Sequence, residues 1–197
     1  MPVEVSLTSF LDYAAATGEA KVRKVADAKQ QYAEGYMRRY DYWRDLRLAI
    51  VDVHEQARPV RELRKLLNKC RPKQVANYTA AVEAYEKWAA RKSLQSVGKR
   101  RARWVHGDLT VHVNPELVLE IDGTPHVIKL YFKRERLSGS RLGLSLHLLQ
   151  TTVAKGAKAC VLDVQAGKLH TASAPTPAMD ALLAGEADLF VRLWNAI

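Results

Sequence analysis

The hydrophobic positions of this chain change period once. Over residues 108–133 they recur at every second residue: Leu109, Val111 and Val113, then Leu117, Leu119 and Ile121, then Ile128, Leu130 and Phe132. Period two marks strands with one buried face, so the stretch predicts three antiparallel strands. Asn114-Pro115 separates the first from the second, because proline has no N–H for the ladder. Asp122-Gly123-Thr124-Pro125 carries a tight-turn signal before the third. A three-residue connection over 114–116 and a two-residue hairpin at Gly123-Thr124 predict a definite register. Val113 then faces Leu117, Val111 faces Leu119, Leu109 faces Ile121, and Ile128 lies opposite Leu119. That register gathers nearly all the large aliphatics on one face, which a one-residue slip would scatter.

Elsewhere the apolar period is that of a helix. Residues 6–17 form a short helix candidate stopped by Gly18. A second candidate covers 19–40, with Val22, Val25, Ala26, Ala33, Tyr36 and Met37 on one side. Asp41 can cap a third, which carries Leu46, Ile50 and Val53 and ends by Pro59. After a short amphipathic piece at 60–68, Arg71-Pro72-Lys73 opens a helix whose face is Val75, Tyr78, Val82, Tyr85 and Ala89. Beyond the meander, Ser140 can cap a helix to 155. The apolar run 159–164 reads as a strand buried on both faces, and 169–171 as a short return strand. Thr176-Pro177 starts a last helix, which Gly185 can split. The fold class is α+β: a helical N-terminal half, a three-stranded antiparallel meander, a helix, one or two further strands and a C-terminal helix. The predicted division is a basic helical region over 1–98 and an α/β domain over 99–197.

Charge sharpens this division. The chain has 31 basic and 21 acidic residues, a net charge of +10. Residues 1–107 hold 22 basic and 12 acidic ones, and 108–197 hold 9 of each, so the whole excess lies in the first half. Such asymmetry points to a polyanion, DNA or RNA, as partner. The candidate contacts are Arg61, Arg64 and Lys65 on one helical face, and the run Lys99, Arg100, Arg101 and Arg103, which stands beside Trp104. The helix pair around 69–72 also fits a helix-turn-helix with Lys73, Gln74 and Asn77 toward the groove, or a plain helical bundle packed on the sheet.

No apolar run approaches the ~20 residues that span a bilayer, so no membrane role is expected. The N-terminus lacks the pattern of a signal peptide. Two cysteines, Cys70 and Cys160, form no disulfide framework or zinc spacing, and the expected compartment is the cytoplasm.

In the predicted register the polar face of the meander carries Asp108, Thr110, His112, Glu120, Asp122, Lys129 and Tyr131. Asp108 faces Asp122, and Glu120 lies diagonal to Lys129. Grouped carboxylates beside a lysine suit a divalent-metal phosphodiesterase site. The candidate catalytic residues are therefore Asp108, Glu120, Asp122 and Lys129, with the three carboxylates holding magnesium or manganese.

The order meander, helix, buried strand, short strand over residues 104–171 resembles the PD-(D/E)xK, or restriction-endonuclease-like, nuclease core. In that family an acid precedes an acid-x-Lys tripeptide on a neighbouring strand; together they bind one or two magnesium ions and activate water for phosphodiester cleavage. The resemblance assigns Gly107-Asp108 as the first acid and Glu120-Ile121-Asp122 as the tripeptide, with an acid in the lysine position. The other match takes Asp122 with Val127-Ile128-Lys129, where a valine replaces the acid. Helix-borne site residues would fall near His147 and Gln150. The expected function is nucleic-acid binding with a degenerate or active metal-dependent nuclease core. The alternative is a non-enzymatic interaction or assembly subunit, a protein partner docking on Tyr36, Tyr40, Tyr42 and Trp43.

Overall fold

The computed structural model describes residues 2–35, 41–133, 135, 137 and 139–197. Its strands are β1 (Val3–Ser6), β2 (Leu94–Ser96), β3 (Ala102–His106), β4 (Leu109–Val113), β5 (Leu117–Ile121), β6 (Thr124–Tyr131), β7 (Lys158–Asp163) and β8 (Lys168–Thr171). Its α-helices are α1 (Leu7–Ala14), α2 (Glu19–Glu34), α3 (Arg44–Glu55), α4 (Val75–Ala89), α5 (Gly139–Thr152) and α6 (Pro177–Ala196), with 3₁₀ turns at Val60–Leu66 and Pro72–Gln74. The fold is α+β, as the pattern predicts.

The strands make two sheets, not one meander. The smaller has the order β1-β4-β3 and the larger β2-β5-β6-β7-β8. The break at Asn114-Pro115 therefore carries the chain from one sheet to the other. The expected pairs Val113–Leu117, Val111–Leu119 and Leu109–Ile121 do not form. β4 is flanked instead by β1 in parallel, with Val3 opposite Leu109 and Val5 opposite Val111, and by β3 antiparallel, with Trp104 opposite Val111. Val3 and Val5 give β4 the aliphatic neighbours that β5 was expected to supply, from a hundred residues away in the chain.

The hairpin joining β5 and β6 does form, one residue earlier than expected. Its turn is Asp122-Gly123, between the paired residues Ile121 and Thr124. Both turn residues are left-handed, with φ of 49° and 80°. This is the primed turn whose twist matches a hairpin, and Asp-Gly suits it because glycine has no Cβ and aspartate tolerates positive φ. Leu117 thus faces Ile128, and Leu119 faces His126. The displacement from the expected register is two residues, an even number, so each side chain keeps its predicted face.

The larger sheet is buried on both sides. One face, with Leu117, Leu119, Ile121, Ile128, Leu130, Phe132, Cys160, Leu162 and Val164, packs against α3, α4 and the 3₁₀ turn at Val60–Leu66. The other, with Val118, Val127, Ala159 and Val161, joins the inner face of the smaller sheet, α1, α5 and α6 in a second core. β7 shows both faces buried, as its apolar run predicts. Residues on the two sides of position 98 share these sheets and cores, since β1 and β2 pair with β4 and β5.

Several local signals hold. Thr176 caps α6 by accepting from the Met179 N–H, with Pro177 in the first turn. Others give way to packing. Gly185 sits inside one unbroken helix, and Ser140 lies within α5 and not at its cap. The expected division at 98 falls between β2 and β3. The expected helical stretch at 36–40, with Tyr36 and Tyr40, lies outside the described residues. No helix among the described residues is long and apolar enough to cross a membrane.

Candidate functional site

The two sheets separate the four candidate catalytic residues. Asp108 is exposed in the β3–β4 turn and lines a shallow cavity of about 320 Å³ with His106, Asp188, Val191 and Arg192. Asp122 is a turn residue whose Oδ1 accepts from the Ser93 N–H at 2.8 Å. Glu120 is paired in register with Gln95 and Pro125. Lys129 lies four residues beyond Pro125 on β6, about 13 Å along a strand. Asp108 therefore does not face Asp122, and Glu120 is not the neighbour of Lys129. Among the described residues no three His, Cys, Asp or Glu side chains are grouped to hold a metal ion. The residues chosen for magnesium or manganese do not fit that ion as a set.

The acid that reaches Lys129 is Glu116. Its Oε1 accepts from Lys129 Nζ at 2.5 Å and its Oε2 from the Leu130 N–H at 2.8 Å. The geometry explains the second bond: β5 begins at Leu117 while β6 runs on to Tyr131, so the Leu130 N–H passes the end of its partner strand. A buried N–H needs an acceptor, and the Glu116 carboxylate is one. β6 and the residues just after it offer two triplets that end in lysine, Val127-Ile128-Lys129 and Tyr131-Phe132-Lys133. Neither has an acid in first position.

Lys129, Tyr131 and Lys133 open into a groove of about 1220 Å³ between α1, α2, the start of α3 and α5. Lys133 donates to both oxygens of Asp12 in α1, at 2.6 and 2.7 Å, and Arg141 of α5 donates to the same carboxylate. The Tyr131 hydroxyl donates to the Glu135 carbonyl at 2.8 Å. Burial pushes that hydroxyl above its ordinary pKa, with the Arg141 guanidinium acting the other way. Asp27 and Glu34 of α2 also line the groove. Asp12, Lys133 and Arg141 are not legible together in the sequence because 121 and 129 residues separate Asp12 from its two partners and only the fold joins them; Glu116 is missed because the hairpin register is shifted.

The helix-turn-helix reading fails on burial. Gln74 is 1% exposed and donates to the Tyr42 carbonyl and the Tyr78 hydroxyl, while Asn77 donates to the Tyr42 hydroxyl. Trp43 stacks between Tyr78 and Phe132, with ring centroids 5.4 and 5.3 Å away. The histidines are engaged too: His106 with Asp188, His112 with Glu4, and buried His147 with Asp180.

The candidate basic contacts divide. Arg64 makes a forked ion pair with Glu86, Lys65 meets Glu62, and Lys99 meets Glu55. Arg100 donates to the carbonyls of Val153 and Lys155 just past the end of α5, where a cation offsets the negative end of the helix. Arg101 and Arg103 are exposed on the edge strand β3 and its approach, and Arg61 is exposed before α4; none makes an ion pair among the described residues. Of the basic run only Arg103 lies on β3, where it points outward between Ala102 and Trp104, which pack on the core; Lys99, Arg100 and Arg101 precede the strand.

The excess of charge concentrates in the layer that covers the larger sheet. Residues 58–92 contain ten lysines and arginines against three carboxylates. The inner side of α4, with Tyr78, Ala81, Val82, Tyr85 and Trp88, is buried, which turns Glu83 and Lys87 outward, and Arg91 is exposed just past the helix end. Arg61, Lys69, Lys73, Lys87 and Arg91 are exposed with no ion pair among the described residues. No family model matches the chain, and neither a curated protein nor a solved structure does.

Proposed function

We propose that this protein binds nucleic acid through the outer surface of residues 58–92, holding the phosphate backbone without cutting it. The observation that carries the reading is the surplus of seven positive charges on that segment, much of it on exposed side chains without internal partners. Unpaired exposed cations displace the counterions of a polyanion, and that release drives binding. Paired ones such as Arg64 and Lys99 are already neutralised. Binding without cleavage is supported by the scattered carboxylates: Asp108 and Asp122 lie in turns of different sheets, and Glu116 is engaged through both oxygens.

The test is a fluorescence anisotropy titration with labelled single-stranded DNA, duplex DNA and RNA over a range of salt. Affinity should fall steeply as salt rises, by roughly 0.7–0.9 in the log–log slope for each phosphate neutralised. The same oligonucleotides should remain intact after incubation with magnesium. Absence of binding to all three at low salt would remove the reading, and magnesium-dependent cleavage by the purified chain would replace it with a nuclease.

A further inference from the structure

The outer layer leaves the groove without a role. At its inner end, side chains from three separate elements converge. Asp12 comes from α1, Lys133 from the segment after β6, and Arg141 from the first turn of α5. A carboxylate that accepts from a lysine and an arginine together stands where the oxygens of a phosphate would be held. Removing the carboxylate leaves two positive charges, which match the charge of roughly −1.5 to −2 on a phosphate monoester at neutral pH. The space beyond is large enough for a ligand, about 1220 Å³. Folding alone motivates the arrangement weakly, because an ion pair drawn partly out of water gains little after desolvation.

We propose that Lys133 and Arg141 form a seat for a phosphate monoester, and that Asp12 is the internal carboxylate that fills the seat until the ligand displaces it. The exchange breaks no covalent bond: one anion replaces another on the same two cations, and Asp12 turns toward the solvent of the groove. A terminal phosphate on a nucleic acid and a small phosphate ester share this chemistry. The seat is distinct from the outer surface and does not depend on it.

Calorimetric titration with inorganic phosphate tests the idea. The native chain should bind weakly, and Asp12→Asn about tenfold more tightly, a change of ~1.4 kcal/mol. The gain should vanish when Asp12→Asn is combined with Lys133→Gln or with Arg141→Gln. Asp27→Asn removes another carboxylate that lines the groove and should give no gain. A gain from Asp27→Asn equal to that from Asp12→Asn would overturn the seat, as would no gain from Asp12→Asn. If Asp12→Asn does not fold, the single variants Lys133→Gln and Arg141→Gln decide. Each should weaken phosphate binding about tenfold, and native affinity in both overturns the proposal. Comparing an oligonucleotide with and without a 5′-phosphate then finds the source of the ligand. Tighter binding of the phosphorylated strand favours a nucleic-acid end; phosphate binding without that preference favours a small ester; either supports the seat. If no variant binds inorganic phosphate or discriminates the 5′-phosphate, the seat fails, even if salt-dependent binding at the outer layer persists.

Discussion

On the outer layer of residues 58–92, lysines and arginines outnumber carboxylates and several face solvent alone. In the groove at the end of β6, Lys129, Lys133 and Arg141 all meet carboxylates within hydrogen-bonding distance. The residue types are the same. What differs is where the partner comes from. In the layer the counter-charge comes from within the layer, from Glu62 to Lys65 and from Glu86 to Arg64, and three carboxylates cannot serve ten cations. In the groove the counter-charge arrives through tertiary closure, from α1 to Arg141 and across the end of a hairpin to Lys129. A cation's availability to a partner is thus decided by topology, and composition alone overstates it. The difference can be attacked by substitution at four places.

The largest effect is expected at the seam between the regions. Phe132 is 6% exposed, follows β6 directly and stacks on Trp43, which leads into α3 and the helical layer. Phe132→Ala should cost about 3–5 kcal/mol in urea denaturation, through lost burial and the cavity left behind. A loss below about 1 kcal/mol would mean that the site repacks and that layer and sheet are joined elsewhere.

The seam also shows what the sequence could tell. Faces were legible: Ile128, Leu130 and Phe132 are inward and Lys129 and Tyr131 lie on the other side, since alternation depends only on local geometry. Partners were not. Leu109 to Val113 has the same pattern whether it pairs with β5 or with β1, and Val3-Glu4-Val5 is too short to announce a strand. The basic run ends on the edge strand β3 and disguises its start, because a charged residue such as Arg103 is a usual outward member of an edge. The candidate metal site rested on β4 lying beside β5, and it fell with that pairing. The acid near Lys129 followed from the hairpin register: Glu120 was expected diagonal to it, and the two-residue shift puts Glu116 opposite it instead.

The next largest effect lies beneath the basic surface. His54 in α3 is buried and shares a 2.6 Å hydrogen bond with the Tyr85 hydroxyl in α4. Burial lowers its pKa from 6.5 to about 4. Between these values the unfolded chain binds a proton that the folded chain refuses, so stability is complete above about pH 6.5 and is lost as pH falls through 4. The loss should approach about 3 kcal/mol. Urea melts at neutral and acid pH will show it, and His54→Gln should flatten that part of the profile. An equally steep profile in the variant would assign the acid sensitivity to other groups.

The paired and unpaired cations can be set against each other directly. Changing Arg61, Lys69, Lys73 and Arg91 together to glutamine should weaken oligonucleotide binding on the order of 100-fold at low salt and flatten its salt dependence. The same change at Arg64, Lys65, Lys99 and Arg100 should move affinity far less, because these side chains already serve carboxylates or helix-end carbonyls. Equal losses in the two sets would show that net charge alone matters and that pairing does not protect a cation from the ligand.

The smallest effect asks whether a groove charge is structural. Glu116→Gln retains an amide oxygen for the Leu130 N–H but removes the counter-charge of Lys129, whose side chain is only 16% exposed. An ammonium left partly buried without its carboxylate should cost about 2 kcal/mol. Adding Lys129→Met removes that ammonium while keeping a long apolar stem. The double variant should therefore recover to within about 1 kcal/mol of the native chain, since replacing both members of such a pair is often nearly neutral. It also leaves the net charge unchanged, so binding at the outer layer should stay as it was. If the double variant is no more stable than Glu116→Gln, the carboxylate matters chiefly as the acceptor that ends the β6 ladder. If it folds normally but loses oligonucleotide affinity, Lys129 touches the ligand despite its internal partner, and the groove and the outer layer belong to one interface.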